Sequence, residues 1–83
     1  MVTRIEYVLK HPAGLGPVLA AARKRAGLSQ RALGERVALT QGRISQVEKG
    51  GKLSLDLALQ IAREVGLELL VREQDTTSSK APW

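Results

Sequence analysis

A short run of polar side chains in the middle of the chain has the chemistry needed to contact nucleic acid. Gln41, Gly42 and Arg43 open the run, and Ser45 and Gln46 follow about one turn later if the segment is helical. Glutamine pairs bidentately with the edge of adenine, arginine pairs with guanine or binds a phosphate, and serine hydrogen-bonds to several bases. A glycine among them would let the backbone come close to a groove. These residue types in this order predict a surface that contacts DNA.

Two short amphipathic helices separated by a tight turn would position these side chains. Leu33 and Val37 are four residues apart on the first helix, and Ile44 and Val47 are three apart on the second. This is the spacing of a buried helical face. The residues expected to cap or stop the pair are Ser29, Thr40 and Gly50. Helices this short are not stable alone in water, so other elements must pack behind them.

The positive charge of the chain is concentrated around this helix pair. The net charge is +5, from 13 basic and 8 acidic residues. Residues 23–52 hold eight basic and two acidic side chains, whereas the rest of the chain holds five basic and six acidic ones. A solvated basic surface without a partner is the simpler interpretation. However, the excess of positive charge coincides with a pair of helices whose outer face is polar. This coincidence favours a polyanionic partner.

The composition of the chain limits the other functions that it can have. An 83-residue chain with no Phe, one Tyr and one Trp is one small domain with an aliphatic core. It has no Cys, and its single histidine, His11, has no ligand cluster around it in the sequence, so we expect no metal and no other cofactor. We do not expect an enzyme, because no nucleophile–base pair, paired carboxylates or phosphate-binding glycine loop is evident. Without a long apolar run or a signal-peptide pattern, we expect a cytoplasmic, nucleoid-associated protein.

Residues 1–16 are expected to form an N-terminal arm and lead-in. Residues 1–9 are β-branched and partly alternating, which fits a strand, a helical turn or a docked arm, and residues 11–17 are rich in helix breakers. The first helix is expected to start with Pro17 at its first position and to end near Ala26. Its inner face would hold Val18, Leu19, Ala22 and Ala26, and its C-terminal end would hold Arg23, Lys24 and Arg25.

The last helix is expected between Ser54, as its N-cap, and Gly66, which ends it. Its wide apolar face would comprise Leu55, Ala58, Leu59, Ala62 and Val65, extended by Leu57 and Ile61. A helix this apolar lies in the middle of a bundle or also serves a dimer interface.

The hydrophobic period changes after Gly66 from about 3.6 residues to about 2, which predicts a strand over residues 67–72. A lone strand has an unpaired edge, so we expect it to pair with the same strand of a second copy or with residues 4–9. The residues expected to form this dimer interface are Leu67, Leu69, Leu70 and Val71. Residues 17–73 would then form one unit, followed by a flexible polar tail over residues 74–83 that carries Trp83.

The spacing of these motifs resembles the Xre, or lambda-repressor/Cro-like, helix-turn-helix family. The matching positions are Leu28-Ser29-Gln30, Leu33-Gly34, Thr40-Gln41, Ile44-Ser45 and Val47-Glu48-Lys49-Gly50, and the resemblance covers about residues 18–65. It implies a mainly α fold, a four-to-five-helix bundle, here with a C-terminal β-strand that pairs across a homodimer. Gly34 stands where a small Ala is usual in the family.

The two ends of the chain are similar to those of HipB-type antitoxins, the partners of HipA-type kinase toxins. The corresponding features are the proline-containing lead-in over residues 11–16, the strand over residues 67–71 and the polar tail over residues 74–83. The resemblance implies a homodimeric repressor of operator DNA that also neutralises a HipA-like serine/threonine kinase and autoregulates its operon. One alternative is a stand-alone Xre-type regulator of the phage or restriction–modification control type. Another is a protein-interaction module that does not bind DNA.

The residues expected to contact DNA come from both helices of the pair and from the loop that follows. They are Gln30, Arg31, Thr40, Gln41, Gly42, Arg43, Ser45, Gln46, Lys49 and Lys52. Gln41 is favoured as the base reader and Ser45 as the second one. Arg43 reads guanine or, in the favoured interpretation, binds a phosphate. Arg31, Lys49 and Lys52 are expected at phosphates, with Arg36 as a further candidate.

Three further roles depend on the resemblance or on residue type. The resemblance implies that Gln30 binds a phosphate and braces Gln41, although an ordinary solvated glutamine is the simpler interpretation. It also implies that Glu48, which would repel DNA if it were exposed, forms an ion pair with Arg23. Trp83 is either incidental or the residue that docks the tail onto a partner protein.

Overall fold

Four α-helices and a preceding 3-10 turn make up the part of the chain that the computed structural model describes, residues 5–74. The 3-10 turn is Pro12–Gly14, and the helices are α1 (Leu15–Arg25), α2 (Gln30–Val37), α3 (Gln41–Glu48) and α4 (Leu55–Val65). Within residues 5–74, none of the helices is long and apolar enough to cross a membrane.

The helix boundaries follow local sequence signals. Ser29, Thr40 and Ser54 each accept a hydrogen bond from the amide three residues further on, at 2.9, 3.1 and 3.1 Å. Each hydroxyl therefore satisfies an amide that has no acceptor within its own helix. Gly50 and Gly66 follow the ends of α3 and α4 with left-handed φ angles of +91° and +79°. The predicted caps and stops of these helices are confirmed.

α1 begins two residues earlier than predicted. Leu15 is its first residue, so Gly16 lies inside the helix and Pro17 is its third residue rather than its first. Proline is still accommodated there because the first few amides of a helix have no intrahelical acceptor. The helix ends at Arg25, and Ala26 is exposed rather than part of the inner face.

The core is aliphatic and is shared by all four helices. α1 and α2 each pack against both α3 and α4. The largest fully buried side chains are Leu19, Leu33, Ile44, Val47 and Ile61. On α4 the buried stripe consists of Ala58, Ile61, Ala62 and Val65. Leu57 also packs against the core, but Leu55 and Leu59 remain 70% and 45% exposed, so only part of the predicted apolar face lies inside the bundle.

The turn between α2 and α3 brings the two helices into close contact. Ala38 has a left-handed φ of +60°, and the amide of Leu39 donates to the carbonyl of Gly34 at 2.8 Å. A Cβ atom on Gly34 would collide with the carbonyl oxygen of Leu39. Gly34 therefore permits a closer approach than the alanine usual in the family would.

The strand predicted over residues 67–72 is not formed in the described part of the chain. Residues 5–10 and 67–74 have no regular secondary structure, because a strand requires a neighbour to share its backbone hydrogen bonds and these two segments do not pair with each other. Burial nevertheless alternates, since Leu67 and Leu69 are half-buried and the residues that follow each of them are exposed. Leu67 packs against the core, so it belongs partly to the monomer. Trp83 lies outside the described residues.

Candidate nucleic-acid interface

The outer face of α3 is polar and open to solvent. Ile44 and Val47 are buried, whereas Gln41, Gly42 and Gln46 are exposed. With about 100° between successive helical residues, Gly42 and Gln46 lie one turn apart and roughly opposite the buried side of α3, which is formed by Ile44, Val47 and Glu48. They therefore occupy the middle of the outer face.

The structure changes the order of the predicted base readers. Gln41, the favoured reader, is exposed at the first position of α3, but Ser45 is half-buried at one edge of the outer face. Gln46, which was predicted to contact DNA but ranked behind Ser45, is exposed on that face. Ile44 and Val47 alone do not separate the two on a helical wheel, because Gln46 and Ser45 each lie about 100° from one of them and about 160° from the other. The buried Glu48 separates them, since it lies about 60° from Ser45 and about 160° from Gln46.

Gly42 leaves open space on this face. A Cβ atom at this position would meet only the Thr40 hydroxyl oxygen, 4.0 Å away, so the fold itself does not require a glycine. Glycine in a helix costs about 1 kcal/mol relative to alanine. The gap is therefore consistent with close approach of a base or of the DNA backbone.

A buried ion pair holds α3 against α1. Arg23 Nε donates to Glu48 Oε2 at 2.6 Å, and Arg23 Nη2 donates to Glu48 Oε1 at 3.1 Å. The two residues are only 8% and 9% exposed. Arg23 Nη1 also donates to the carbonyl of Leu28 at 2.7 Å. The ion pair implied by the family resemblance is confirmed, and Glu48 is withdrawn from the DNA-facing surface.

Gln30 belongs to the same network. Its Nε2 donates to Glu48 Oε1 at 3.0 Å, so in this structure it braces the buried carboxylate rather than Gln41. The second amide hydrogen of Gln30 and its side-chain carbonyl oxygen take no part in this hydrogen bond. Its position at the start of α2, half-buried, leaves the predicted phosphate contact available but untested.

The network keeps Glu48 ionised. Burial raises the pKa of Glu48, but hydrogen bonds from Arg23 and Gln30, together with the positive charges of Arg23 and Lys24, outweigh this effect and lower the pKa below its ordinary value. The carboxylate charge is therefore matched by Arg23 at neutral pH and contributes little repulsion toward a polyanion.

Arg43 lies at the opposite edge of the outer face from Ser45. Its Nη2 donates to the backbone carbonyl of Lys52 at 2.7 Å. Lys49 and Lys52 are exposed beside it. These three cations line an open concavity of about 580 Å³ together with Gln46, Gly50 and Gly51. The predicted phosphate contacts Lys49 and Lys52 are thus brought together with Arg43.

The two arginines predicted on α2 differ in their surroundings. Arg31 Nε lies 3.8 Å from Glu35 Oε2, with both side chains largely exposed. Such a pair is worth little, so Arg31 remains able to reach a phosphate. Arg36 Nη1 lies 3.5 Å from Glu64 Oε1 on α4, and the Arg36 side chain is still 53% exposed.

A helix-turn-helix family model matches residues 19–71, more than half of the 83 residues. A search of the curated proteins found no match. The matched segment includes all of α2, α3 and α4, with the capped turn between α2 and α3 at its centre. The chain therefore belongs to the Xre/lambda-repressor-like helix-turn-helix family of DNA-binding transcription regulators.

Proposed function

We propose that the protein is a sequence-specific transcriptional repressor that places α3 in the major groove of operator DNA. The observation that carries this proposal is the outer face of α3, where Gln41, Gly42 and Gln46 are exposed beside a group of cations. The major groove is about 12 Å wide and admits an α-helix. Glu48, the sole carboxylate of α3, is buried and paired, so it does not oppose this placement.

Base contacts and phosphate contacts fall on different residues in this proposal. Gln41 and Gln46 read base edges, and Gly42 allows the backbone to approach a thymine methyl group. Ser45 contacts a base from its edge of the helix. The residues that contact phosphates are Gln30, Arg31, Thr40, Lys49 and Lys52.

The proposed repressor acts as a homodimer. Leu55 on α4 and Leu70 and Val71 after it are 70%, 78% and 97% exposed. Leu59 and Leu70 line one surface groove together with Leu67 and Leu69. A second copy would cover these apolar side chains and supply the strand partner that residues 67–72 lack. A two-fold symmetric dimer of this kind reads two half-sites of a palindromic operator.

Footprinting on the DNA upstream of the protein's own coding region tests the repressor proposal. The wild-type protein is expected to protect one palindromic site. Gln41→Ala should weaken binding to that site by about 5- to 150-fold, since one bidentate base contact is worth about 1–3 kcal/mol. Its binding to unrelated DNA should stay nearly unchanged. Gln60→Ala, an exposed glutamine on α4, is the matched control. An equal loss on both DNAs would contradict base reading by Gln41.

We further propose that the repressor is the antitoxin of a HipA-like serine/threonine kinase and autoregulates its operon. The support is the similarity of the lead-in, the C-terminal segment and the tail to HipB-type antitoxins, together with the exposed Leu70 and Val71. A stand-alone Xre-type regulator of the phage or restriction–modification control type is the alternative.

Co-expression with a kinase encoded beside the gene separates these two functions. Co-purification and loss of kinase activity are expected for an antitoxin. Removal of residues 74–83, including Trp83, should spare DNA binding and weaken the kinase complex. If no neighbouring protein binds, the antitoxin function is wrong and the stand-alone regulator remains.

A further inference from the structure

We infer that residues 5–10, the arm, form a β-strand that pairs antiparallel with residues 67–72, the C-terminal segment, of a second copy of the chain. The inference rests on the proposed homodimer and deepens it by naming a further segment that crosses between the copies and the register in which it pairs. No backbone hydrogen bond joins the arm to the C-terminal segment within the described part of one chain. The partner strand therefore comes from another copy.

The arm has the exposure pattern of an extended strand. Its six residues are all exposed and have no regular secondary structure. Ile5, Tyr7 and Leu9 are 50%, 42% and 47% exposed, whereas Val8 is 69% exposed. Side chains that alternate in this way lie on opposite sides of a strand. A solvent-exposed hydrogen bond from Arg25 Nη1 to Tyr7 Oη, 3.1 Å long, connects the arm to the end of α1, so little holds the arm in place there.

The charges of the arm and of the C-terminal segment are complementary in one antiparallel register. This register puts three cross-strand pairs on the same side of the sheet, with an apolar pair between two ion pairs. The pairs are Glu6–Arg72, Val8–Leu70 and Lys10–Glu68. Opposite charges directly across a strand pair stabilise it, and like charges destabilise it. The most exposed apolar side chain of the arm also covers Leu70, which is 78% exposed in the single chain.

Other alignments of the two segments lose this complementarity. A parallel alignment centred on the same apolar pair brings Glu6 next to Glu68 and Lys10 next to Arg72, so both ends carry like charges. A shift of two residues is the smallest that keeps each side chain on its side of the sheet. Such a shift of the antiparallel alignment breaks both ion pairs in either direction.

The same register ends the strand pair where both segments end. It places Pro12 opposite Gly66. Pro12 begins the 3-10 turn and has no amide hydrogen to donate, and Gly66 has a left-handed φ of +79°. Neither residue extends a strand, so the two turns fix this end of the pairing.

The other side of the paired strands is apolar. Its side chains are Ile5, Tyr7 and Leu9 from the arm and Leu67, Leu69 and Val71 from the C-terminal segment. Leu67 already packs against the core, so this side faces the helices. The register places Tyr7 opposite Val71, which is 97% exposed in the single chain. An aromatic side chain beside a β-branched one is a favourable cross-strand pair.

Mixing two full-length charge variants tests the inference. Two copies of Glu6→Arg, or two copies of Arg72→Glu, bring like charges together when the arms pair between copies. In a mixed dimer, each arm meets an opposite charge again. Mixed dimers should therefore exceed random exchange by about 2- to 30-fold, because two cross-strand pairs change from like to opposite charge. Native mass spectrometry of one isotope-labelled and one unlabelled chain measures the ratio.

The design separates the arm from other sources of a mixed dimer. If only the two C-terminal segments pair with each other, residue 72 of each lies opposite residue 68, and the mixed dimer has one opposite and one like pair, which gives it no advantage on average. Glu35→Arg, at an exposed site on α2, is the matched control because it changes the net charge as Glu6→Arg does. Its mixture with Arg72→Glu should stay close to random exchange.

A random share of mixed dimers, or an excess no larger than that of the control, would overturn the inference while leaving the homodimer intact. Lys10→Glu mixed with Glu68→Lys repeats the test on the other ion pair and should show a similar excess. An excess for neither pair would show that the arm does not cross between copies. By contrast, a wild-type chain that stays monomeric at every concentration contradicts the proposed homodimer itself.

Discussion

The exposed faces of α3 and α4 have opposite character, although both helices pack against α1 and α2. α3 exposes Gln41 and Gln46 beside cations, whereas α4 exposes Leu55 and Leu59. A polar face remains solvated until a polyanion replaces the water, but a cluster of exposed leucines favours a protein partner. The difference supports the proposal that α3 binds DNA and that the exposed leucines of α4 contact a second copy of the chain.

The inner faces of the same two helices are similar in character. Both contribute aliphatic side chains to one core, and α3 adds the carboxylate of Glu48, which is bound by Arg23. The residues that stabilise the fold are therefore distinct from those proposed to contact DNA or a second copy. Substitutions on each face should separate the two properties.

Removing the carboxylate of Glu48 should have the largest effect. It should destabilise the whole fold, so that neither α3 nor α4 presents its exposed face. Glu48→Ala leaves the charge of Arg23 buried without its partner, which costs about 3–5 kcal/mol. That is a large share of the roughly 5–15 kcal/mol by which a domain is stable. Urea denaturation should show the loss. Glu35→Ala, which removes an exposed carboxylate, is the control and should cost less than about 1 kcal/mol.

The acid dependence of stability gives a second test of Glu48. Because the pKa of Glu48 is lowered in the folded state, its contribution is fully present above the unfolded pKa of about 4.3 and is lost as the pH falls through the lower folded value. The wild-type protein should therefore lose stability below about pH 4.3 more steeply than Glu48→Gln. Identical acid profiles would show that the ion pair does not stabilise the fold.

Shortening an exposed leucine on α4 should affect only the protein-binding side. Leu59→Ala should cost roughly 1 kcal/mol per copy in lost apolar burial, and thus about 2 kcal/mol per dimer, since a two-fold interface contains the change twice. Sedimentation equilibrium should show dimerisation weakened by about 30-fold, with monomer stability nearly unchanged. Gln60→Ala should leave dimerisation as it is. Unaltered association of Leu59→Ala would place the dimer interface elsewhere.

Loss of the cap of α3 should have the smallest effect and should fall on the DNA-binding side. Thr40→Ala removes the acceptor for the amide of Arg43 and should cost about 1 kcal/mol of unfolding free energy. Operator affinity should fall modestly because Gln41 directly follows the cap. Thr40→Ser keeps the acceptor and should retain both properties, and a serine variant as weak as the alanine variant would argue against capping.

The helix pair was predictable because its signals are local. A capping hydroxyl and a hydrophobic period lie within a few residues of each other in α2, α3 and α4, and a glycine follows the ends of α3 and α4. The start of α1 was misplaced because proline fits any of the first positions of a helix. The strand over residues 67–72 depends on a partner strand, which a single chain does not provide.

Other features of the site depend on contacts between distant parts of the chain. The bond from Arg43 to the Lys52 carbonyl and that from Gln30 to Glu48 span nine and 18 residues. No spacing rule encodes such contacts. Likewise, the period of α4 indicated a broad apolar surface but did not show that Leu55 and Leu59 are the part of it that the other helices leave uncovered.

Glu48 has a further consequence for how an operator is recognised. Its carboxylate, at the end of α3, is bound both by Arg23 of α1 and by Gln30 at the start of α2. These bonds fix the angle between α2 and α3 in the free protein, so we expect little conformational entropy to be lost when it binds DNA. A preorganised reader of this kind does not pivot to fit a poor site. We expect the DNA to make the adjustment, so that flexible base steps between the contacted positions affect affinity without being touched.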